Sequence, residues 1–92
     1  MKFKLVEDYK LFLKNSVKSN GKPYGDRTIQ EYCKDLRYFL YRGYTENSLC
    51  TSVDTLIEEY SKDGIHYDPD DRGDTVAALK KLKDYLATCK IA

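Results

Sequence analysis

Arg27, Gln30, Lys34 and Arg37 recur at steps of three and four, and Tyr41 follows at the next step of four. On an α-helix, residues so spaced share one stripe. Their chemistry is that of polyanion recognition. Lys and Arg neutralise phosphates, and Arg or Gln pairs bidentately with purine edges. No acid falls within the stripe; Glu31 and Asp35 sit on its flank. A second cationic group, Arg72, Lys80, Lys81, Lys83 and Lys90, lies near the C-terminus. Lys80, Lys83 and Lys90 fall along one outward helical line with Lys81 beside it. Phosphate contact is the expected job of the lysines here other than Lys90, which is expected to be solvated, and such contact sets affinity rather than sequence preference. The plain alternative for both groups is a solvated helix face.

Other residue types with chemical potential read as structural. Asp68-Pro69-Asp70-Asp71-Arg72-Gly73 has the acids and glycine of a calcium loop at its first, third and sixth places. It fails at the fifth place, where Arg72 sits, and at the twelfth, where Leu79 replaces a bidentate Glu. Helix capping by acids is the expected role instead. Cys33, Cys50 and Cys89 are an odd number without CxxC spacing, which points to buried reduced thiols rather than a disulfide or zinc site. His66 is a lone loop histidine, and Tyr38, Tyr41 and Tyr44 crowd one helix end, where packing is the expected use. No metal and no cofactor is expected.

The elements that must position these groups follow from hydrophobic period. A first helix over about residues 3–18 places Leu5, Tyr9, Phe12 and Leu13 on one side, with Val6 and Val17 adjacent. It stops in Ser19-Asn20-Gly21-Lys22-Pro23, where Gly21 suits a left-handed cap and Pro23 blocks continuation. A second helix, capped by Asp26 and closed by Gly43, buries Ile29, Tyr32, Cys33, Leu36, Phe39 and Leu40. A polar linker over 44–50 leads to a short third helix, capped by Thr51 or Ser52, with Val53, Leu56, Ile57 and Tyr60 inward and Gly64 at its end. The fourth helix begins between Asp70 and Thr75 and buries Val76, Leu79, Leu82, Leu86 and Cys89. No alternating strand pattern is present. The expected fold is all-α, a compact orthogonal four-helix bundle.

Ninety-two residues suit one domain spanning 1–92, and mean hydropathy of -0.67 leaves a polar surface. No apolar run approaches the ~20 residues of a spanning helix. The N-terminus lacks a signal-peptide pattern, so a cytoplasmic protein is expected. The net charge of +1 conceals a division. Residues 1–43 hold ten Lys/Arg against five Asp/Glu, residues 44–71 one against eight, and residues 72–92 five against two. Such segregation favours a polyanion-binding face.

Three motifs together resemble the N-terminal core-binding domain of phage integrases and other tyrosine recombinases. Thr28-x-x-x-Tyr32-x-x-x-Leu36-x-x-Phe39 is similar to that domain's second helix. Tyr9-Lys10-Leu11-Phe12-Leu13 is similar to the end of its first helix, and Ala78 through Leu86 to its last. The resemblance implies a SAM-like fold. It also implies a role in clamping double-stranded DNA at a recombination core site, with the second and fourth helices approaching the major groove. The implied partners are duplex DNA, a C-terminal catalytic domain absent from this chain, and recombinase protomers assembled on DNA. The family's catalytic set of a tyrosine nucleophile, two arginines, a lysine and a histidine-type group is not matched: His66 is followed by Tyr67-Asp68-Pro69, without an arginine three positions on. The expectation is a non-catalytic domain of a longer recombinase, consistent with an end at Lys90-Ile91-Ala92 still inside a helical pattern. A SAM- or death-like protein-interaction module is the competing expectation.

Overall fold

Asp26–Tyr41 forms a helix because its apolar residues return every three or four positions and find a surface to cover. Ile29, Cys33, Leu36, Phe39 and Leu40 are buried along one side. The computed structural model describes residues 3–18, 20–71 and 73–89, with only the backbone of Asp71. Arg72, an expected cationic contact, and Lys90, expected to be solvated, lie outside the described residues. The helices are α1 (Lys4–Lys14), α2 (Asp26–Tyr41), α3 (Glu46–Thr51), α4 (Val53–Tyr60) and α5 (Asp74–Cys89). A single 3-10 turn at Pro69–Asp71 precedes α5.

The all-α class holds among the described residues, with five α-helices where four were expected. The additional element is α3, which occupies most of the expected linker. Thr45 starts it with a reciprocal cap: its hydroxyl accepts from Ser48 N at 3.0 Å, and Ser48 Oγ accepts from Thr45 N at 2.8 Å. Leu49 of α3 is fully buried, so this polar stretch still anchors itself in the core. Other expected boundaries also move. Asp26 is the first residue of α2, and Gly25 occupies the cap position without a side-chain bond. Ser52 precedes α4 without donating or accepting a cap, and α4 ends at Tyr60, before Gly64. α1 ends at Lys14, so Val17 leaves the helical face and is exposed. Lys18 N donates to Lys22 O at 2.8 Å, and Gly21 N donates to Lys18 O at 2.9 Å, closing the turn that Gly21 makes with φ +83°.

α5 lies at the centre and packs against each of the other four helices. Its residues Ala78, Leu79 and Leu82 have no exposed surface. α1 packs on α2, and α3 bridges α2 and α4. The radius of gyration is 12.8 Å, with extents of 32 × 29 × 27 Å. About 12 Å is expected for a single folded domain of this length. No helix of the described residues is long and apolar enough to cross a membrane.

Two polar contacts set the relative positions of these helices. The buried Tyr9 hydroxyl of α1 donates to Ala78 O of α5 at 2.9 Å, across 69 residues. Glu46 Oε2 of α3 accepts from Leu5 N in the first turn of α1 at 2.6 Å. Phe3 offers α1 no side-chain cap, so a carboxylate from another helix satisfies one of its free amides.

The turn after α4 depends on Gly64. A Cβ there would run into the backbone carbonyls of Glu58 and Glu59. The turn folds back on α4 because His66 N donates to Glu59 O at 2.8 Å.

Tyr9→Phe should lower stability by about 1 kcal/mol, the usual net worth of a neutral hydrogen bond. A urea midpoint shift with unchanged slope checks this. Burial raises the Tyr9 hydroxyl well above its ordinary 10.0, and hydrogen bonding with Cys89, then burial, pushes Tyr85 up to about 12. Both folded values exceed the unfolded one, so this stability is complete below the ordinary tyrosine value and is lost as pH rises past it. Urea midpoints should therefore fall above about pH 10, and less steeply in Tyr9→Phe. Gly64→Ala must displace backbone and should cost about 1–3 kcal/mol by the same measurement; an unchanged midpoint would show that the turn relaxes freely.

Candidate nucleic-acid interface

The stripe on α2 is set by what the opposite side buries. With Leu36 fully buried and Ile29, Cys33 and Leu40 beside it, residues about half a turn away must face outward. Arg27, Gln30 and Lys34 are exposed there, and Arg37 is half-exposed. None of the four takes part in an ion pair among the described residues; the pairs present are Lys4–Asp8, Lys81–Asp84 and Lys83–Asp54. The Cys33 thiol lies on the buried side of α2. That thiol is raised by burial first, against the lowering pull of Arg37 and Lys10.

The lysines of α5 separate onto two flanks of that helix. Lys81 turns toward α2, with Nζ 5.2 Å from the centroid of the Tyr24 ring and 3.8 Å from Asp84 Oδ2. Lys83 turns toward α4 and meets Asp54 Oδ1 at 2.8 Å. This pair is solvent-exposed, and hydrogen bonding to Asp54 raises the Lys83 ammonium. Lys80 is exposed and borders a depression shared with Tyr60, Lys62 and Tyr67. α5 is packed on several sides, so its solvent-facing arc is narrow and neighbouring lysines diverge around it.

Two cations absent from the sequence reading join the surface. Lys18 Nζ lies 6.0 Å from the Tyr24 centroid and, with Arg27, Glu31, Tyr32 and Asp74, lines an open depression of about 530 Å³ at the start of α2. The Tyr24 and Tyr32 rings meet at 6.1 Å. Lys18 and Lys81 thus gather around one aromatic ring, beside a depression that Arg27, Glu31 and Asp74 also line. No helical spacing connects Lys18 to Tyr24, so periodicity could not find this cluster. At the other end of α2, the Arg42 guanidinium stacks 4.9 Å from the centroid of Tyr38. That signal was legible as an Arg four residues after a Tyr, a spacing that puts both on one face.

Of the expected site residues, α2 carries Arg27, Gln30, Lys34 and Arg37 along one helix. Lys81 comes to the Arg27 end of that surface, while Lys80 and Lys83 stand on the α4 flank. The tyrosines at the end of α2 divide in the same way. Tyr44 packs edge-on against Phe39 at 5.9 Å, and Tyr41 meets Phe3 at 5.5 Å. Tyr41 nevertheless keeps 65 % of its surface exposed and Tyr38 keeps 47 %. Cys33 is buried, Cys50 half-buried and Cys89 exposed, so the expectation of buried thiols fails at Cys89. Among the described residues, no three or more His, Cys, Asp or Glu side chains gather as a metal site.

This arrangement can place several positive charges and one amide against a polyanion along a single helix. Comparison with protein-family models, with curated proteins and with solved structures finds no match to the chain, so the functional reading rests on its own residues and geometry.

Proposed function

We propose that this chain is a non-catalytic domain that binds double-stranded DNA, of the SAM-like, orthogonal-bundle core-binding type of the tyrosine recombinases. The observation that carries the reading is the outward strip of α2, whose cations have no acid partner among the described residues. Unpaired surface cations are free to exchange their counterions for phosphates, the largest source of affinity for duplex DNA. A helix about 10–12 Å across fits a major groove of about 12 Å. In that pose Gln30 and Arg37 reach base edges, while Arg27, Lys34 and Lys81 reach phosphates.

The split of the α5 lysines ranks the contacts. Lys81 stands beside Tyr24, which shares a depression with Arg27, and so extends the α2 surface. Lys83 is held by Asp54, so contact with DNA first costs that pair. Lys80 and Lys83 are therefore peripheral, and Arg72 keeps its place from the sequence reading alone. The resemblance adds a catalytic domain outside this chain and further recombinase protomers as partners in DNA integration or recombination. A protein-interaction module of the SAM or death type is the second reading. It draws on the acid-rich segment 44–71, which forms α3, α4 and the following turn.

Fluorescence anisotropy of a labelled duplex between about 50 and 200 mM salt tests the proposal. Affinity should fall steeply with salt. Arg27→Ala and Lys34→Ala should each reduce the log–log slope by about one, the value of one phosphate contact. Lys83→Ala should leave the slope close to the parent value. Equal slopes for parent and α2 variants would refute the α2 surface. Salt-sensitive self-association without any response to DNA would favour the second reading.

A further inference from the structure

Lys34 belongs to two surfaces. It lies in the outward strip of α2, and it lines a cleft of about 270 Å³ with Asp35, Tyr38, Tyr60, Asp68 and Thr75. The cleft's walls are aromatic and its polar groups include two carboxylates, and it is about half the volume of the depression at the start of α2. Its aromatic side is built in layers. Phe39 is buried and meets Tyr60 edge-on at 5.5 Å and Tyr38 edge-on at 5.6 Å. Tyr60 in turn stacks on His66 at 5.2 Å with a tilt of 32°. The fold of the turn holds that stack, since His66 N donates to Glu59 O at 2.8 Å. Arg42 covers Tyr38 at 4.9 Å. The two tyrosines that flank the cleft are therefore placed by packing, and Tyr38 keeps nearly half its surface open.

A phosphate does not suit this cleft, because the Asp68 carboxylate in its wall would repel it. A nucleobase does. Its π-face can stack on a tyrosine, and its exocyclic amine can donate to a carboxylate, as cytosine donates to Asp or Glu. Asp68 Oδ1 accepts from Asp70 N at 2.9 Å, which ties the side chain to its own loop and leaves the other oxygen outside that bond. The phosphate attached to that base would then fall at the rim, where Lys34 stands. We propose that the Tyr38–Tyr60 cleft receives one unstacked, amine-bearing base, and that the chain prefers a duplex carrying an extrahelical nucleotide over a fully paired one. The proposal rests on the duplex-binding reading and adds the local DNA structure that the site selects.

The test compares the full chain binding three otherwise identical duplexes: fully paired, with one bulged fluorescent aminopurine, and with one bulged thymine. The aminopurine bulge should bind about tenfold tighter than the paired duplex, within the range that base–aromatic stacking supplies. Its fluorescence should be quenched on binding. The thymine bulge, which has no exocyclic amine, should gain less. Tyr38→Ala should remove both the gain and the quenching while binding the paired duplex as the parent does. Asp68→Ala should narrow the difference between aminopurine and thymine. Equal affinity for paired and bulged duplexes, or a gain that survives Tyr38→Ala, would overturn the cleft while leaving the α2 surface standing. Failure of the parent to bind any of the three would overturn both readings.

Discussion

The Tyr9 hydroxyl is the polar group that this core cannot leave unpaired. Tyr9 has no exposed surface, and a buried hydroxyl without a partner costs about 1–3 kcal/mol. Ala78 O, at 2.9 Å, answers it. The bond joins the first helix to the last and fixes the height of α1 along α5. Ala78 lets the two helices approach, since a methyl side chain adds little bulk at the contact. α2 then packs against both of these helices and buries the side that carries Leu36 and Cys33. Outward display of Arg27, Gln30 and Lys34 is the geometric remainder of that packing. The exposed cationic strip is therefore a consequence of the core.

Glu46 shows how the acidic segment is spent. One of its oxygens caps α1 at Leu5 N, and Asp54 of the next helix holds Lys83. Acids drawn into the scaffold at α3 and α4 offset cations on α1 and α5. The cations of α2 are left outside these pairs. A chain of net charge +1 can thus present a cationic strip on α2, because its acids are concentrated in the segment that forms α3 and α4.

Four of the five helices were legible from apolar period alone, and the buried side of α2 coincides closely with its sequence stripe. α3 was not, because six residues are too short to show two turns of stripe and E-N-S-L-C-T is mostly polar. The only local signal was Thr45 followed three residues later by Ser48, a weak form of the reciprocal cap. The α2 surface could be drawn from spacing because one broad side of that helix is free. The α5 lysines could not be placed the same way, since α5 touches every other helix and a step of one residue changes its neighbour. The gathering of Lys18 and Lys81 on Tyr24, and the Tyr38–Tyr60 cleft, join residues distant in sequence. Only the packed structure brings them together.

The account comes down to which backbone amides sense duplex DNA. In a titration of isotope-labelled chain at low salt, the largest amide shifts should follow the outward side of α2 from Arg27 to Arg37, with Lys81 moving in step. The Lys83 and Asp54 amides should move little. Shifts concentrated on α3 and α4, with α2 silent, would contradict the account.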